Sequence, residues 1–169
     1  MVRRRIGLVV LGAVAVLALA VGCAPPAAAS VTGTGTFTTW AHCQVADTAS
    51  FTFDARVGAD GVPTGTFSFT CRPSGFSLAA TVTCLQIHQP DPVTGVRAAT
   101  IGGTITATTY PNGLFPVGQK LSVTVADGPS ADGVSVLVLG CQRQLGLLPL
   151  ASGDIVITGA PTPTTAIAA

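Results

Sequence analysis

The sequence predicts an all-β fold, an antiparallel two-sheet sandwich of about eight strands after an N-terminal signal helix. Three observations predict it. Beyond residue 30 apolar side chains recur at every second position, the period of a strand with one buried face. Thr and Val abound while Glu is absent and Lys and Met occur once each, so good helix formers are scarce. Gly and Pro clusters then cut the chain at short intervals. Short strands buried on one face pack as two facing sheets, with a closed barrel as the alternative.

The N-terminal element is an export signal. Met1-Val2-Arg3-Arg4-Arg5 is a charged start, and residues 6–21 form an uninterrupted apolar run. That is the layout of a secretory signal, just short of the ~20 residues of a membrane span. Two cleavage sites follow it. Ala20-Val21-Gly22-Cys23 resembles a lipobox, which would end the signal at residue 22 and leave Cys23 as a lipidation candidate. Ala27-Ala28-Ala29 offers ordinary cleavage, ending it at residue 29. Residues 24–30 read as a linker, 31–159 as the β domain and 160–169 as a disordered tail. The expected location is extracellular, or lipid-anchored at the outer face of the cytoplasmic membrane, with the membrane met only through the signal or the lipid.

Eight strands are expected in order. The first spans 31–40. In the second, 49–57, Ala49, Phe51, Phe53, Ala55 and Val57 share a face. After a turn at 58–63, the third, 64–71, aligns Phe67, Phe69 and Cys71. Pro73-Ser74-Gly75 turns the chain into a fourth, 76–84, with Phe76, Leu78, Ala80, Val82 and Cys84 on one face. The remaining four span 98–109, 120–127, 134–142 and 154–158, divided by Pro90-Asp91-Pro92, Tyr110-Pro111-Asn112-Gly113, Asp127-Gly128-Pro129 and Leu148-Pro149.

Five cysteines are an odd number, and Cys23 resolves the oddness because either cleavage route removes or lipidates it. Cys43, Cys71, Cys84 and Cys141 remain as disulfide candidates, enough for two bridges in an exported domain. No pair has C-x-x-C spacing and only His42 adjoins a cysteine, so zinc is not expected. A hairpin of strands 49–57 and 64–71 sets Cys71 beside the loop carrying Cys43, which predicts Cys43–Cys71 and, by elimination, Cys84–Cys141. One tension accompanies this pairing. In a simple up-and-down meander Cys141 falls at the Cys43 end, away from Cys84, and a strand crossing between sheets would be needed to join them.

Charge and motifs narrow the chemistry. Without Arg3, Arg4 and Arg5 the chain holds five cations against seven aspartates, a formal charge of −2, which is no footprint for nucleic acid. There is no Gly-x-Ser-x-Gly, His-Glu-x-x-His, P-loop or dinucleotide fingerprint, and the absence of Glu removes the commonest glycosidase acid. Asp127 and Asp132 bracket a tight turn. They are weak calcium candidates, since carboxylates on a loop suit a hard cation, but Asp more often caps turns. Trp40 and His42 beside Cys43, together with Tyr110, are weak ligand-binding candidates; a Trp packed on a disulfide is the plainer account. Neither a cofactor nor a resident metal is expected.

A resemblance follows from the strand and turn order: Phe51-Thr52-Phe53-Asp54-Ala55, residues 65–69, Ala99-Thr100-Ile101-Gly102-Gly103, Val123-Thr124-Val125-Ala126-Asp127-Gly128-Pro129, and Asp132-Gly133. Over residues 31–159 this resembles a β-rich domain of unknown function found in secreted bacterial proteins, many of them actinobacterial. The resemblance implies an extracellular, non-catalytic β-sandwich and carries no ligand or active residue with it. The expected function is therefore an exported, non-catalytic module of the extracellular space or cell envelope with an unknown partner. The alternative is a secreted carbohydrate- or small-ligand-binding module, against which the single Trp and single Tyr weigh.

Overall fold

A computed structural model of the chain describes residues 28–38, 43–44, 47–129, 132–135 and 137–162. The signal region with Cys23, and also Trp40, His42 and residues 163–169, lie outside the described residues. The described chain is all-β and antiparallel. Its strands are β1 (Ala29–Phe37), β2 (Thr48–Val57), β3 (Pro63–Arg72), β4 (Ser77–Ile87), β5 (Arg97–Thr108), β6 (Lys120–Asp127), β7 (Gly133–Ser135), β8 (Val138–Leu139), β9 (Leu147–Pro149) and β10 (Ser152–Thr158). Where two separate sheets were expected, every strand joins one continuous curled sheet. Its order is β10-β1-β2-β3-β4-β5-β6-β7-β9, with β8 also paired to β6. The physical reason lies in the connections. Most are short hairpins that keep each strand beside its predecessor, and residues 150–151 carry the chain from β9 at one edge to β10 at the other.

The interior is the face that the alternation predicted. Phe51, Phe53, Phe67 and Phe69 are buried within it, as are Val31 and Phe37 from β1 and Ile155 and Ile157 from β10. Phe51 stacks on Phe53 at 4.7 Å between ring centroids, and Phe69 meets Phe53 edge-on at 5.5 Å. Gly35 makes room for this cluster: a Cβ there would lie 2.9 Å from the Phe51 ring and 2.5 Å from the Ser152 carbonyl.

Four expectations change. Strand β1 begins at Ala29, so Ala29 and Ser30 of the expected linker belong to the sheet, paired with Val57 and Arg56. The expected strand 134–142 is broken into β7 and β8, and the Leu148-Pro149 break is itself strand β9, tolerated because a proline at a sheet edge forfeits no ladder bond. The chain past Gly159 stays attached as far as Thr162, whose N–H donates to the Ile87 carbonyl (2.8 Å) while its hydroxyl accepts from the Ile87 N–H (2.9 Å). Most consequential is a register shift in β4 between Val82 and Cys84. Leu78, Ala80 and Val82 point inward, then Leu85 and Ile87 do. The bulge moves the side-chain phase by one, so Cys84 leaves the core face it was expected to share and turns to the outside.

Both expected disulfides are present, Cys43–Cys71 with Cα atoms 5.6 Å apart and Cys84–Cys141 with 6.3 Å. The tension in the second pair is resolved without a crossing strand. Beyond β8, residues 140–146 fold back as a strap across the outer face of β6 and β5. Cys141 meets Cys84 there, above Gly102 of β5. A Cβ on Gly102 would sit 3.0 Å from Cys84 Cβ and 3.5 Å from Cys141 Sγ, so glycine gives the bridge room to pass over this strand without displacing Cys84.

Candidate functional site

The inner face of the described sheet is filled with apolar side chains, which leaves its outer face for polar groups. Period two places hydroxyls there, and strand register lines them up. One row runs Thr32, Asp54, Thr66, Thr81, Thr104 across β1 to β5; others run Thr34, Thr52, Ser68 and Thr36, Ser50, Thr70, Ser77. Neighbours within a row are ~4.8 Å apart, the spacing of paired strands. Some hydroxyls bond across strands, as Ser30 Oγ with Thr158 Oγ1 and Thr36 Oγ1 with Ser152 Oγ, both at 2.8 Å. Among these rows, over β10, β1 and β2, lies a hollow of about 410 Å³ whose rim includes Thr32, Thr34, Asp54, Arg56 and Asp154.

Two of the charged groups of the rim, Asp54 and Arg56, are two positions apart on β2, so both point outward, and the third, Asp154, is on β10. Arg56 grips Asp54 in a two-pronged pair, Nε to Oδ1 at 2.9 Å and Nη2 to Oδ2 at 2.8 Å. That hydrogen bonding holds the Asp54 carboxyl below its ordinary pKa and raises that of Arg56. Side-chain exposures of 64% for Arg56 and 45% for Asp54 make this a solvated pair, able to reorganise around a ligand rather than to brace the fold.

The expected site residues divide. Tyr110 is buried, its ring against Phe76 (5.5 Å) and edge-on to Phe115 (5.1 Å), with its hydroxyl 3.3 Å from Cys71 Sγ. Burial, then the negative charge of Asp47, pushes its pKa up to about 12. It is a core phenol rather than an open stacking platform. Beside it, Asp47 is 4% exposed, and its carboxylate accepts from the N–H groups of Gln44 and Ser74 (3.3 Å each) and from the Ser74 hydroxyl. One of its oxygens lies within 4.8 Å of the Cys43 and Cys71 sulfurs, but bridged sulfurs lack the thiolates that zinc takes.

Asp127 and Asp132 have a role the sequence reading did not include. Curling brings β10 alongside β6 and the loop that carries Asp132. On that side the N–H groups of Ile155 and Ile157 have no strand to pair with. Ile155 N–H donates to Asp132 Oδ2 at 2.7 Å, Ile157 N–H to Asp127 Oδ2 at 3.1 Å, and Gly128 N–H to Asp132 Oδ1 at 3.3 Å. Two carboxylates thus stand in for the carbonyls of a missing strand and draw the edges of the half-barrel together. Turn capping is part of this arrangement. Three of the four carboxylate oxygens receive these N–H groups.

A further polar cluster was missed. Thr100, Ser122 and Thr124 are fully buried although they face outward, because the strap covers them. Gln142 N–H donates to Ser122 Oγ (3.3 Å), which also bonds the Gln142 carbonyl (3.4 Å), and Gln144 N–H donates to Thr124 Oγ1 (2.8 Å). Thr124 Oγ1 lies 3.2 Å from Thr100 Oγ1, and that hydroxyl lies 2.8 Å from His88 Nε2. A histidine and a hydroxyl at this distance are the parts of a base and nucleophile, yet Thr100 has no exposure through which a substrate could reach it. The signal for this cluster was a strand, 120–127, in which small polar residues alternate with Val and Leu where the register leaves no free surface.

No protein-family model, no curated protein and no solved structure matches the chain.

Proposed function

We propose that this chain is an exported, non-catalytic protein of the extracellular space or cell envelope that acts by binding through its hydroxyl-rich outer face. The observation that carries the reading is the register itself, which arrays Thr and Ser across five strands around the Asp54–Arg56 pair. The two disulfides are consistent with an oxidising compartment, and the charged start, apolar run and resemblance to secreted bacterial β domains support export. The non-catalytic half rests on the missing motifs and on the burial of Thr100 beside His88.

The 410 Å³ hollow favours a second reading, a carbohydrate or small polar ligand held by Arg56, Asp54, Asp154 and the threonines. It differs from the usual saccharide site in lacking an exposed aromatic among its rim residues. Glycan-array binding of the oxidised chain, repeated with Arg56→Ala, separates the two. Saccharide binding lost in Arg56→Ala establishes the second reading. Sedimentation with isolated cell envelopes, without array signal and abolished by Thr52→Lys with Thr66→Lys, supports the first, and failure of both assays contradicts both. Maturation is tested apart from binding: a lipoprotein accumulates as precursor under globomycin and is released by Cys23→Ala, whereas ordinary secretion leaves an N-terminus at Ser30.

A further inference from the structure

The two disulfides differ in what surrounds them. Cys71 has no exposure, and its sulfur lies beside the Tyr110 hydroxyl inside the core, while its partner Cys43 is partly exposed and packs against that core. Cys84 and Cys141 are partly exposed on the outer face and line a hollow of about 240 Å³, together with Gly102, Gly103, Lys120 and Gly140. Three of the lining residues are glycines, Thr83 and Leu121 complete the wall, and Lys120 brings a cation to its edge. What the bridge holds also differs. Cys43–Cys71 staples a loop to a full-length hairpin, while Cys84–Cys141 holds the strap, which the Gln142 and Gln144 backbone also bonds to Ser122 and Thr124.

We propose that Cys84–Cys141 is a thiol-exchange site for a low-molecular-weight thiol, and that its opening releases the strap from the hydroxyl floor of β5 and β6. A thiolate RS⁻ entering the hollow attacks one bridge sulfur. A mixed RS–S bond forms as the Cys84–Cys141 bond breaks, and the electron pair leaves on the other cysteine as thiolate, which takes a proton from water. A second RS⁻ attacks the RS sulfur of the mixed disulfide and leaves as RS–SR, freeing the first cysteine as a second thiolate, which is protonated in turn. Two thiols are oxidised to one disulfide and the bridge gains two electrons. The cation of Lys120 favours both the incoming and the departing thiolate. Once the bridge is open, Thr100, Ser122, Thr124 and His88 become reachable, which makes the strap a cover whose removal depends on the thiol pool.

The test is a time course on the folded, oxidised chain with reduced glutathione, quenched by acid, alkylated and mapped by peptide mass spectrometry. Hydrogen exchange is followed on the same samples. Both cysteines of Cys84–Cys141 line the open hollow whereas Cys71 is sealed in the core, so Cys84 and Cys141 should label at least about tenfold faster than Cys43 and Cys71. The Gln142 and Gln144 amides should lose protection in step with that labelling, while the Phe51 and Phe69 amides keep theirs. The proposal is overturned if the bridges open together, if Cys43–Cys71 opens first, or if Gln142 and Gln144 stay protected after Cys84–Cys141 is open.

Discussion

Strands β1 to β4 are joined by long ladders over a floor of packed phenyl rings, whereas β6 to β10 meet through short ladders, a strap and side-chain oxygens. In the first region β1 pairs with β2 over nine positions, β2 with β3 over the ten from Thr48 to Val57, and β3 with β4 over five. In the second, β7 pairs with β6 at two positions and β8 at two more, and the backbone groups left over go to Asp127, Asp132, Ser122 and Thr124. The difference shows two ways of satisfying a buried backbone. One is built from local hairpins and hydrophobic burial, and the other from polar side chains that must arrive from distant parts of the chain.

The largest effect expected from breaking this contrast is in the phenyl floor. Phe53→Ala removes the ring that Phe51, Phe67 and Phe69 all touch and should cost about 3–5 kcal/mol, read as a lower urea midpoint with the whole domain unfolding together. Asp132→Ala strands two N–H groups in the seam and should cost about 1.5–3 kcal/mol, with the Ile155 amide losing protection while the Phe51 amide does not. Gly102→Ala pushes a methyl against Cys84 and should cost about 1–3 kcal/mol. Non-reducing peptide mapping should then find the Cys84–Cys141 bridge partly unformed and Cys43–Cys71 intact.

The smallest effect is a pH dependence confined to the strap. Burial, then the positive charge of Arg143, holds the His88 pKa below its ordinary value of 6.5. The groups facing it are the Thr100 hydroxyl and Arg143, which in turn also acts on Asp91. The unfolded chain binds a proton near 6.5 that the folded chain refuses, so this contribution is complete above that value and declines as pH falls toward the lower folded pKa. Protection of the Gln144 amide should decrease between about pH 7.5 and pH 5.5, and His88→Gln should remove that decrease.

Legibility in the sequence followed the same division. The alternation of Phe51, Phe53, Phe67 and Phe69 identified the inner face of β2 and β3, and the hairpin they form was enough to pair Cys43 with Cys71. Those are consequences of local period and short turns. The phase change at Cys84 was not legible, because a bulge leaves no mark in Thr81-Val82-Thr83-Cys84 that distinguishes it from a regular strand. Nor was the single sheet, since one-sided strands describe two facing sheets and one curled sheet equally well. Asp127 and Asp132 stood out by their spacing, but their partners, Ile155 and Ile157, lie some two dozen residues or more downstream, and only the curl brings them together. Nothing in the strand period separates Thr100, Ser122 and Thr124 from ordinary outward positions, and only the strap over them buries them. The outer-face rows were implicit in the strand period, but their alignment needed the register.

Site-resolved hydrogen exchange of the oxidised chain at neutral pH tests the central contrast most directly, through the amides of Ile155 and Ile157. With carboxylates closing the half-barrel, both should be protected in the native chain, and Asp127→Ala with Asp132→Ala should expose both while leaving the β2 and β3 amides unchanged. Ile155 and Ile157 amides exchanging in the native chain as freely as an open sheet edge would contradict the account.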